Sequence, residues 1–494
     1  MIVDTQIYAV DPSESPRHGR SPSRERDAAL RRSVLYSPTV HNWSEESDQL
    51  ANGVFEYAKE RLKLDPLPLD NTTTRSKLET IVGQTITHEG IGGSEALRIF
   101  ADHLAPACIT ANHPRYLAFI PCAPTEASML FDLIVGASCM YGSTWLEAAG
   151  AVFAENQALR WIADLAGFPE AAGGVFVQGG TLGNLSALVT ARHATASRPD
   201  RDRHDSRRWA IAVSPDAHSS LSHAARVMDV DLVVADVDED RKLRGRDIAQ
   251  LLDLVSVEDR QRVFAVTATA GTTNLGVIDD LASIAEVCRS RDLWFHVDGA
   301  YGLAALAAPS VRGRFEGIEE ADSFIVDPHK WLFSPFDCAA LIYRDPELAR
   351  ATHTQHASYL EPLEEVGAWN PADYAIHLTR RARGLPFWFS LATYGTDRYS
   401  EAIEQTLRTA RYAADAIKER SYLSLLREPE LSVVCYRRTG WSRTEYNAWS
   451  ERLRNDGVAF VTPSTHLGET IARLAIVNPL TTEDDIDIVL DSMS

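Results

Sequence analysis

The residues best placed to do chemistry lie in Ser323-Phe-Ile-Val-Asp-Pro-His-Lys-Trp-Leu-Phe333. An apolar strand-type run, Phe324 to Val326, breaks at Pro328 and presents His329 and Lys330 before a second apolar group, Trp331 to Phe333. An ammonium is strongly hydrated, so holding a lysine between apolar segments is costly. Desolvation lowers a lysine pKa and makes the amine a nucleophile toward a carbonyl. Taken alone, a lysine after a strand is usually a surface residue. Asp298 alters that balance, because it ends another apolar run 32 positions earlier (330 − 298). A Schiff-base lysine and a carboxylate facing a pyridinium nitrogen are the two protein groups a pyridoxal phosphate (PLP) site requires.

Other stretches are compatible with that chemistry, each with a plainer alternative. Gln178-Gly-Gly-Thr-Leu-Gly-Asn184 separates a strand from a helix. Its glycines let backbone approach an anion, and the helix start offers free N–H groups. It lacks the dinucleotide glycine spacing and the P-loop lysine, so a phosphate monoester suits it better than a nucleotide; an ordinary strand-to-helix turn is the alternative. His218 can stack on a flat ring and handle protons near neutral pH, or simply cap a helix. Asp298 is followed by small residues that leave room for a planar group, or is itself a helix cap. Thr269, in Thr269-Ala-Gly-Thr-Thr273, can supply a hydroxyl to a cofactor or substrate, or simply cap a helix.

Positioning these residues calls for a particular architecture. Between about 145 and 350, helical stretches (Glu147 to Gly167, Gly183 to Arg192, Leu221 to Met228, Leu281 to Arg289) alternate with short apolar runs. The runs are Val175 to Val177, Trp209 to Val213, Leu232 to Val234, Val263 to Thr269, Leu293 to Val297, Ser323 to Val326 and Ala339 to Tyr343. This alternation predicts an α/β fold with a mostly parallel sheet covered on both faces. Ligands of such sheets sit beyond the carboxyl ends of strands. His218, Thr269, Asp298 and Lys330 all fall there. From about 385 a long helical region (Phe387 to Arg420), the runs Leu431 to Tyr436 and Ile471 to Val477, and a helix near 443–455 predict a smaller α+β domain. The expected organisation is a tail over 1–34, an N-terminal helical segment over 35–125, a large domain over 126–384 and a small one over 385–494.

The 494 residues carry a net charge of −20, which argues against nucleic acid as the partner. Apolar stretches are interrupted well before membrane-spanning length, and no membrane partner is expected. Residues 1–34 are rich in Ser, Pro and Arg with no apolar segment behind a cationic start, so a disordered tail is expected rather than a secretory signal. The six cysteines are scattered with no pair at metal-ligand spacing, so no metal is expected and a reduced, cytoplasmic setting is.

The motifs Gly179-Gly-Thr-Leu-Gly-Asn-Leu-Ser-Ala-Leu188, Asp216-Ala-His-Ser-Ser220, Thr267-Ala-Thr-Ala-Gly-Thr-Thr-Asn-Leu-Gly276, His296-Val-Asp-Gly-Ala-Tyr301 and Asp327-Pro-His-Lys-Trp-Leu332 occur together and in order. Jointly they resemble the PLP-dependent group II amino-acid decarboxylases, most of all the aromatic-L-amino-acid decarboxylase branch, over roughly residues 43–490. The resemblance implies a PLP enzyme of fold type I, working as a homodimer with shared active sites, the N-terminal helical segment packing on the partner subunit. Lys330 would hold PLP as a Schiff base, and Asp298 would pair with the pyridine nitrogen. His218 would stack on one ring face with Ala300 against the other, and Gly180 and Thr181 would hold the phosphate. Thr269 would line the cofactor site, and His329 would sit beside the Schiff base. Phe119, Pro121 and Cys122 match the family's substrate-pocket segment. The substrate implied is an L-amino acid with an aromatic or large apolar side chain, converted to its amine and carbon dioxide.

Three positions depart from the family pattern. Aligning back from Arg380-Arg-Ala-Arg-Gly-Leu385 puts Pro371 where a loop tyrosine supplies a proton at Cα, with Tyr374 three residues on. Either Tyr374 substitutes, the loop is built differently, or the reaction diverts to an aldehyde. Asp327 stands where many members carry asparagine, which puts phosphate-side contacts there in doubt. Cys122 replaces a frequent threonine and keeps branched aliphatic substrates open. A nucleotide-binding oxidoreductase is the reading from another class, and the missing dinucleotide fingerprint counts against it.

Overall fold

The computed structural model describes residues 41–199, 208–254, 256, 260–356, 358 and 368–494. The tail expected over 1–34 lies outside them, as does part of the loop around 355–378. The chain forms two compact units. The first comprises the described part of Met1–Lys63 and Ser76–Leu104. It contains helices α1 (Glu45–Leu62), α2 (Arg75–Val82) and α3 (Gly93–Ile99). A reciprocal capping box between Ser44 and Ser47 starts α1, satisfying N–H groups that a helix start leaves free. Neither α1 nor α2 buries a residue, and Phe55 remains 57% exposed.

The second unit, Leu64–Arg75 with Ala105–Ser494, holds both sheets. After α4 (Glu126–Ala137) and α5 (Trp145–Leu165) come β1 (Gly173–Val177), α6 (Gly180–Ala196), β2 (Ala210–Val213), α7 (Ser219–Met228), β3 (Asp231–Val234), α8 (Gly245–Leu254), β4 (Val263–Thr269), α9 (Leu281–Arg291), β5 (Trp294–Asp298), β6 (Ser323–Val326), the single-turn helix α10 (Pro328–Trp331) and β7 (Ala339–Tyr343). The seven strands pair in the order β1-β7-β6-β5-β4-β2-β3. All seven runs expected from sequence are strands. Their residues read as continuous apolar runs because helices cover both faces. Side-chain alternation divides them between two layers: Phe176, Phe324 and Val326 pack on one face, Val175, Val177 and Ile325 on the other. Burying a residue such as Phe324 contributes roughly 1.5–3 kcal/mol.

β7 runs antiparallel to both β1 and β6. The link from β6 to β7 carries only the single-turn α10 and not the longer helix that a parallel crossover usually uses. That short link is where Lys330 sits.

Helices α11 (Pro346–His353), α12 (Leu385–Tyr394) and α13 (Thr396–Glu419) follow. The long helical region expected over Phe387 to Arg420 comprises two helices, separated at Gly395 with φ +77°, a conformation glycine tolerates. The C-terminal sheet orders β10 (Ser464–His466), β11 (Glu469–Ala475), β9 (Val433–Arg438) and β8 (Leu423–Leu425), all antiparallel, with α14 (Arg443–Asn455) and α15 (Glu483–Asp491). Leu117, from the segment before α4, hydrogen-bonds to the end of β11. The Leu117 N–H donates to the Phe460 carbonyl, and the Ala475 N–H donates to that of Leu117.

Candidate active site

The carboxyl ends of β1, β2, β4, β5 and β6 open into one cavity of about 310 Å³. Gly180, Thr181, His218, Thr269, Asp298, Ala300, His329 and Lys330 all line it. Eight residues expected from sequence therefore share one space.

Lys330 ends the first turn after β6. Its ammonium lies 2.9 Å from Asp327 Oδ2, and its side chain is one-quarter exposed. The lysine is thus an ion-paired group at the cavity wall rather than an isolated charge between apolar segments. The preceding residue, His329, accepts the Cys338 N–H on Nδ1 at 3.0 Å, so the ring proton is on Nε2 in the neutral form. Burial pushes the His329 pKa down, which favours that neutral form.

Asp298 is buried at the end of β5. Its Oδ1 accepts the Ala300 N–H at 3.2 Å, and its Oδ2 accepts the Asn184 side-chain amide at 2.8 Å. Asn184 is a junction that sequence reasoning did not single out. Its Nδ2 also reaches Ser220 Oγ at 2.9 Å, and its Oδ1 meets His296 Nε2 at 3.0 Å. His296 Nδ1 lies 2.8 Å from Ser323 Oγ, which accepts the Trp294 indole N–H at 2.9 Å. An indole can only donate, so with Asn184 donating to Asp298 the chain runs one way, from Trp294 toward Asp298. It requires a neutral His296, and burial lowers that pKa to about 4. The only hint in the sequence is that Asn184 follows the glycine-rich turn.

His218 caps α7 with Nδ1, which accepts the Ser220 N–H at 3.2 Å and faces Ser220 Oγ at 2.9 Å. Asn184 therefore links the Asp298 carboxylate to His218 through Ser220. Thr269 is fixed by its backbone: its N–H donates to Asp279 Oδ2 at 2.7 Å, while the Leu243 N–H donates to Asp279 Oδ1 at 2.9 Å. Burial pushes the Asp279 carboxyl up to about 7 against those two hydrogen bonds.

The cavity fits PLP at its ring end. The Thr269 hydroxyl is buried without a partner and needs one. Asp298 is held as an oriented carboxylate, and Lys330 brings an amine. At the phosphate end, Gly180 and Thr181 open α6 at the cavity wall, but the Gly180 N–H donates to Asp327 Oδ2 at 3.3 Å. A Cβ at position 180 would lie 3.1 Å from Ala300 Cβ and 3.2 Å from Asp327 Oδ2, so only glycine leaves this corner open.

Four expected residues are not on this wall. Tyr374 is buried with its ring stacked on Trp369 at 4.0 Å between centroids. Cys122 is buried, its thiol donating to the Ser334 carbonyl at 3.0 Å. Pro121 is buried beside it, whereas Phe119 is exposed, φ +53°, with its ring 6.0 Å from that of Phe460. Sequence reasoning also passed over Arg473 of β11. It is 5% exposed and has no ion pair among the described residues, and its Nη2 donates to the carbonyl of the cavity residue Thr273 at 2.8 Å.

No helix among the described residues is long and apolar enough to cross a membrane. Nor does any group of three or more His, Cys, Asp or Glu among them form a metal centre.

Comparison with known proteins agrees with the motifs. Residues 95–439 match the pyridoxal-dependent decarboxylase conserved domain. An aromatic-L-amino-acid decarboxylase of Bacillus atrophaeus is 26% identical over 432 residues, covering 85% of this chain and 88% of that protein. An L-2,4-diaminobutyrate decarboxylase of Rhizobium meliloti (strain 1021) is 31% identical over 440 residues, covering 87% and 83% respectively. In fold, the chain superposes on the crystal structure of Oryza sativa TDC with PLP and tryptamine at a TM-score of 0.84 and 22% identity, over 93% of this chain and 99% of that one. The domain match spans more than half of the chain, and this protein therefore belongs to the pyridoxal-dependent decarboxylase family, whose cofactor is PLP.

Proposed function

We propose that the protein removes the α-carboxylate of an L-amino acid with an aromatic or large apolar side chain, releasing the amine and carbon dioxide. The observation that carries this reading is the convergence of Lys330, Asp298, His218 and Thr269 on one cavity. Bound PLP supplies an electron sink for the pair left when a bond at Cα breaks.

The chain's own groups divide the work. Lys330 is the covalent anchor, and Asp327 is the counter-ion that receives its ammonium when the lysine is free. Asp298, steadied by Asn184, would hold a proton on the ring nitrogen. His218 and Ala300 would confine the ring between them, and Thr269 would donate its unpartnered hydroxyl. Gly180 and Thr181 would receive the phosphate. His329, neutral and fixed by Cys338, would sit beside the anchor. The uncompensated guanidinium of Arg473 is suited to the substrate carboxylate, because a buried cation gains most from a partner that enters with the ligand.

A homodimer with shared sites is part of the proposal. Leu130, Leu133 and Ile134 on α4 and Leu146 and Phe153 on α5 are 41–61% exposed, more apolar surface than a monomer of this kind needs to show. Phe119, exposed and away from its own cavity, would then contribute to the partner's site. The six unpaired cysteines support a cytoplasmic setting.

A second reading, oxidative conversion to aldehyde, carbon dioxide, ammonia and peroxide with dioxygen consumed, is favoured by one observation. Pro371 stands where a proton-donating tyrosine is expected, and Tyr374 is packed away. Product analysis of the PLP-loaded protein against aromatic, branched, basic and acidic L-amino acids separates the readings. Amine from an aromatic or large apolar substrate supports the proposal, aldehyde with peroxide supports the second reading, and amine only from basic or acidic substrates overturns the side-chain class.

A further inference from the structure

We infer that Asp327 makes cofactor binding proton-linked, the phosphate group and this carboxylate sharing one proton that neither brings alone at neutral pH. The inference rests on Gly180 and Thr181 as the phosphate's holders. Asp327 sits in the corner those residues form. Its Oδ2 accepts the Gly180 N–H at 3.3 Å and faces the Lys330 ammonium at 2.9 Å. Its Oδ1 is buried with no hydrogen-bond partner. The side chain is 1% exposed, so water cannot spread its charge.

An incoming phosphate meets this carboxylate at the start of α6, where the free N–H groups of a helix start otherwise favour an anion. Two fully ionised groups in contact inside a buried corner repel strongly, as paired carboxylates do when they share a proton. Once the lysine nitrogen is committed to the cofactor, it no longer offers three donors to Asp327. The orphaned Oδ1 then requires a hydrogen-bond donor, and a singly protonated phosphate, or a protonated carboxyl donating to the phosphate, provides one. A free phosphate monoester has its second pKa near ~6, so above pH 7 the proton comes from solvent. One proton is gained by the pair and no other bond changes.

The other titratable groups facing Asp327 do not supply the donor. His329 Nε2 is 3.5 Å from Oδ2, beyond a good hydrogen bond, and Oδ2 is the oxygen that already has partners rather than the orphaned Oδ1. Across the turn the Cys338 thiol is buried and raised well above its usual pKa. From α6 the Gly180 amide donates to Oδ2, and after β5 the Ala300 carbonyl accepts the Asp327 N–H.

The test is isothermal titration of the unloaded protein with PLP and with pyridoxal, which lacks the phosphate, from pH 6.5 to 8.5. Two buffers of different ionisation enthalpy give the number of protons taken up, and the wild type is compared with Asp327→Asn. We expect the wild type to take up about one more proton at pH 8 with PLP than with pyridoxal, its PLP affinity falling about tenfold per pH unit relative to pyridoxal. Asp327→Asn should lose that extra proton and the steep slope, and bind PLP more tightly than the wild type at pH 8.5. The pyridoxal arm isolates the phosphate from any change in Lys330. Equal proton uptake for both ligands by the wild type overturns the inference, even where the variant fails to fold. Extra uptake that persists in Asp327→Asn overturns it as well. If PLP binds no more tightly than pyridoxal at pH 6.5, Gly180 and Thr181 do not hold the phosphate, and the underlying reading fails instead.

Discussion

The side-chain amide of Asn184 lies 2.8 Å from Asp298 Oδ2 and 2.9 Å from Ser220 Oγ, joining a carboxylate at the end of β5 to the turn that carries His218. One residue of α6 thus orients both groups that would contact a planar ring. A hydrogen bond to a charged group is worth about 1.5–3 kcal/mol, and its loss strands His296 as well. Replacing Asn184 with alanine should therefore weaken PLP binding roughly 10- to 100-fold. Fluorescence titration of the unloaded variant measures this, and an unchanged dissociation constant would remove Asn184 from the site.

Lys330→Ala should end both covalent capture of PLP and turnover, since no other lysine lines the cavity. Borohydride reduction followed by peptide mass mapping reads the first, independently of activity. A cofactor label on another lysine with turnover retained would falsify the anchor.

Tyr374 is the residue for which position and expectation part. Its ring is stacked on Trp369, and burial pushes its hydroxyl pKa up, so a proton delivered from it would first require unpacking that stack. Tyr374→Phe keeps the packing and should change turnover by no more than about twofold, because a hydroxyl that takes no part in the reaction leaves the barrier unchanged. A loss of about 100-fold, or a switch from amine to aldehyde, would restore Tyr374 as the proton donor.

Arg473→Gln keeps a donor toward Thr273 but removes the charge. If the guanidinium meets the substrate carboxylate, KM for the amino acid should rise about tenfold or more while the affinity for PLP stays unchanged. Unchanged KM would make Arg473 a structural prop for the Thr273 carbonyl.

Acid should destabilise the fold through buried histidines. Burial lowers His113, His296, His353 and His377 to about 4 in the folded chain, below the ordinary 6.5. Between those values the unfolded chain binds more protons, so stability rises with pH across the window and is lost as pH falls through it. For the fully buried His296 alone the slope approaches about 1.4 kcal/mol per pH unit. The net charge of −20 relaxes over the same range, which acts the other way. Thermal unfolding should nonetheless show a lower midpoint at pH 5.5 than at 7.5, and an equal or higher one would mean these rings are not held neutral.

Local sequence determined a large part of this protein. The apolar runs became the seven strands because a strand covered on both faces must be apolar throughout, and that requirement is visible without knowing its neighbours. The gathering of Lys330, Asp298, Thr269 and His218 at strand ends was legible for the same reason: each ends or follows an apolar run, and all four line one cavity. What tertiary structure alone decided involves partners distant in the chain. Asn184 acquires its role only because α6 crosses the end of β5, Arg473 only because β11 lies beside Thr273, and Tyr374 loses a free hydroxyl only because Trp369 covers it. Asp327 reads from sequence as a substitution and in the fold as the counter-ion of Lys330, since a single turn after β6 brings the ammonium to the carboxylate that also accepts the Gly180 N–H. Hydrogen bonds and ion pairs act over a few ångströms of space, and no spacing along the chain reports which residues that space contains.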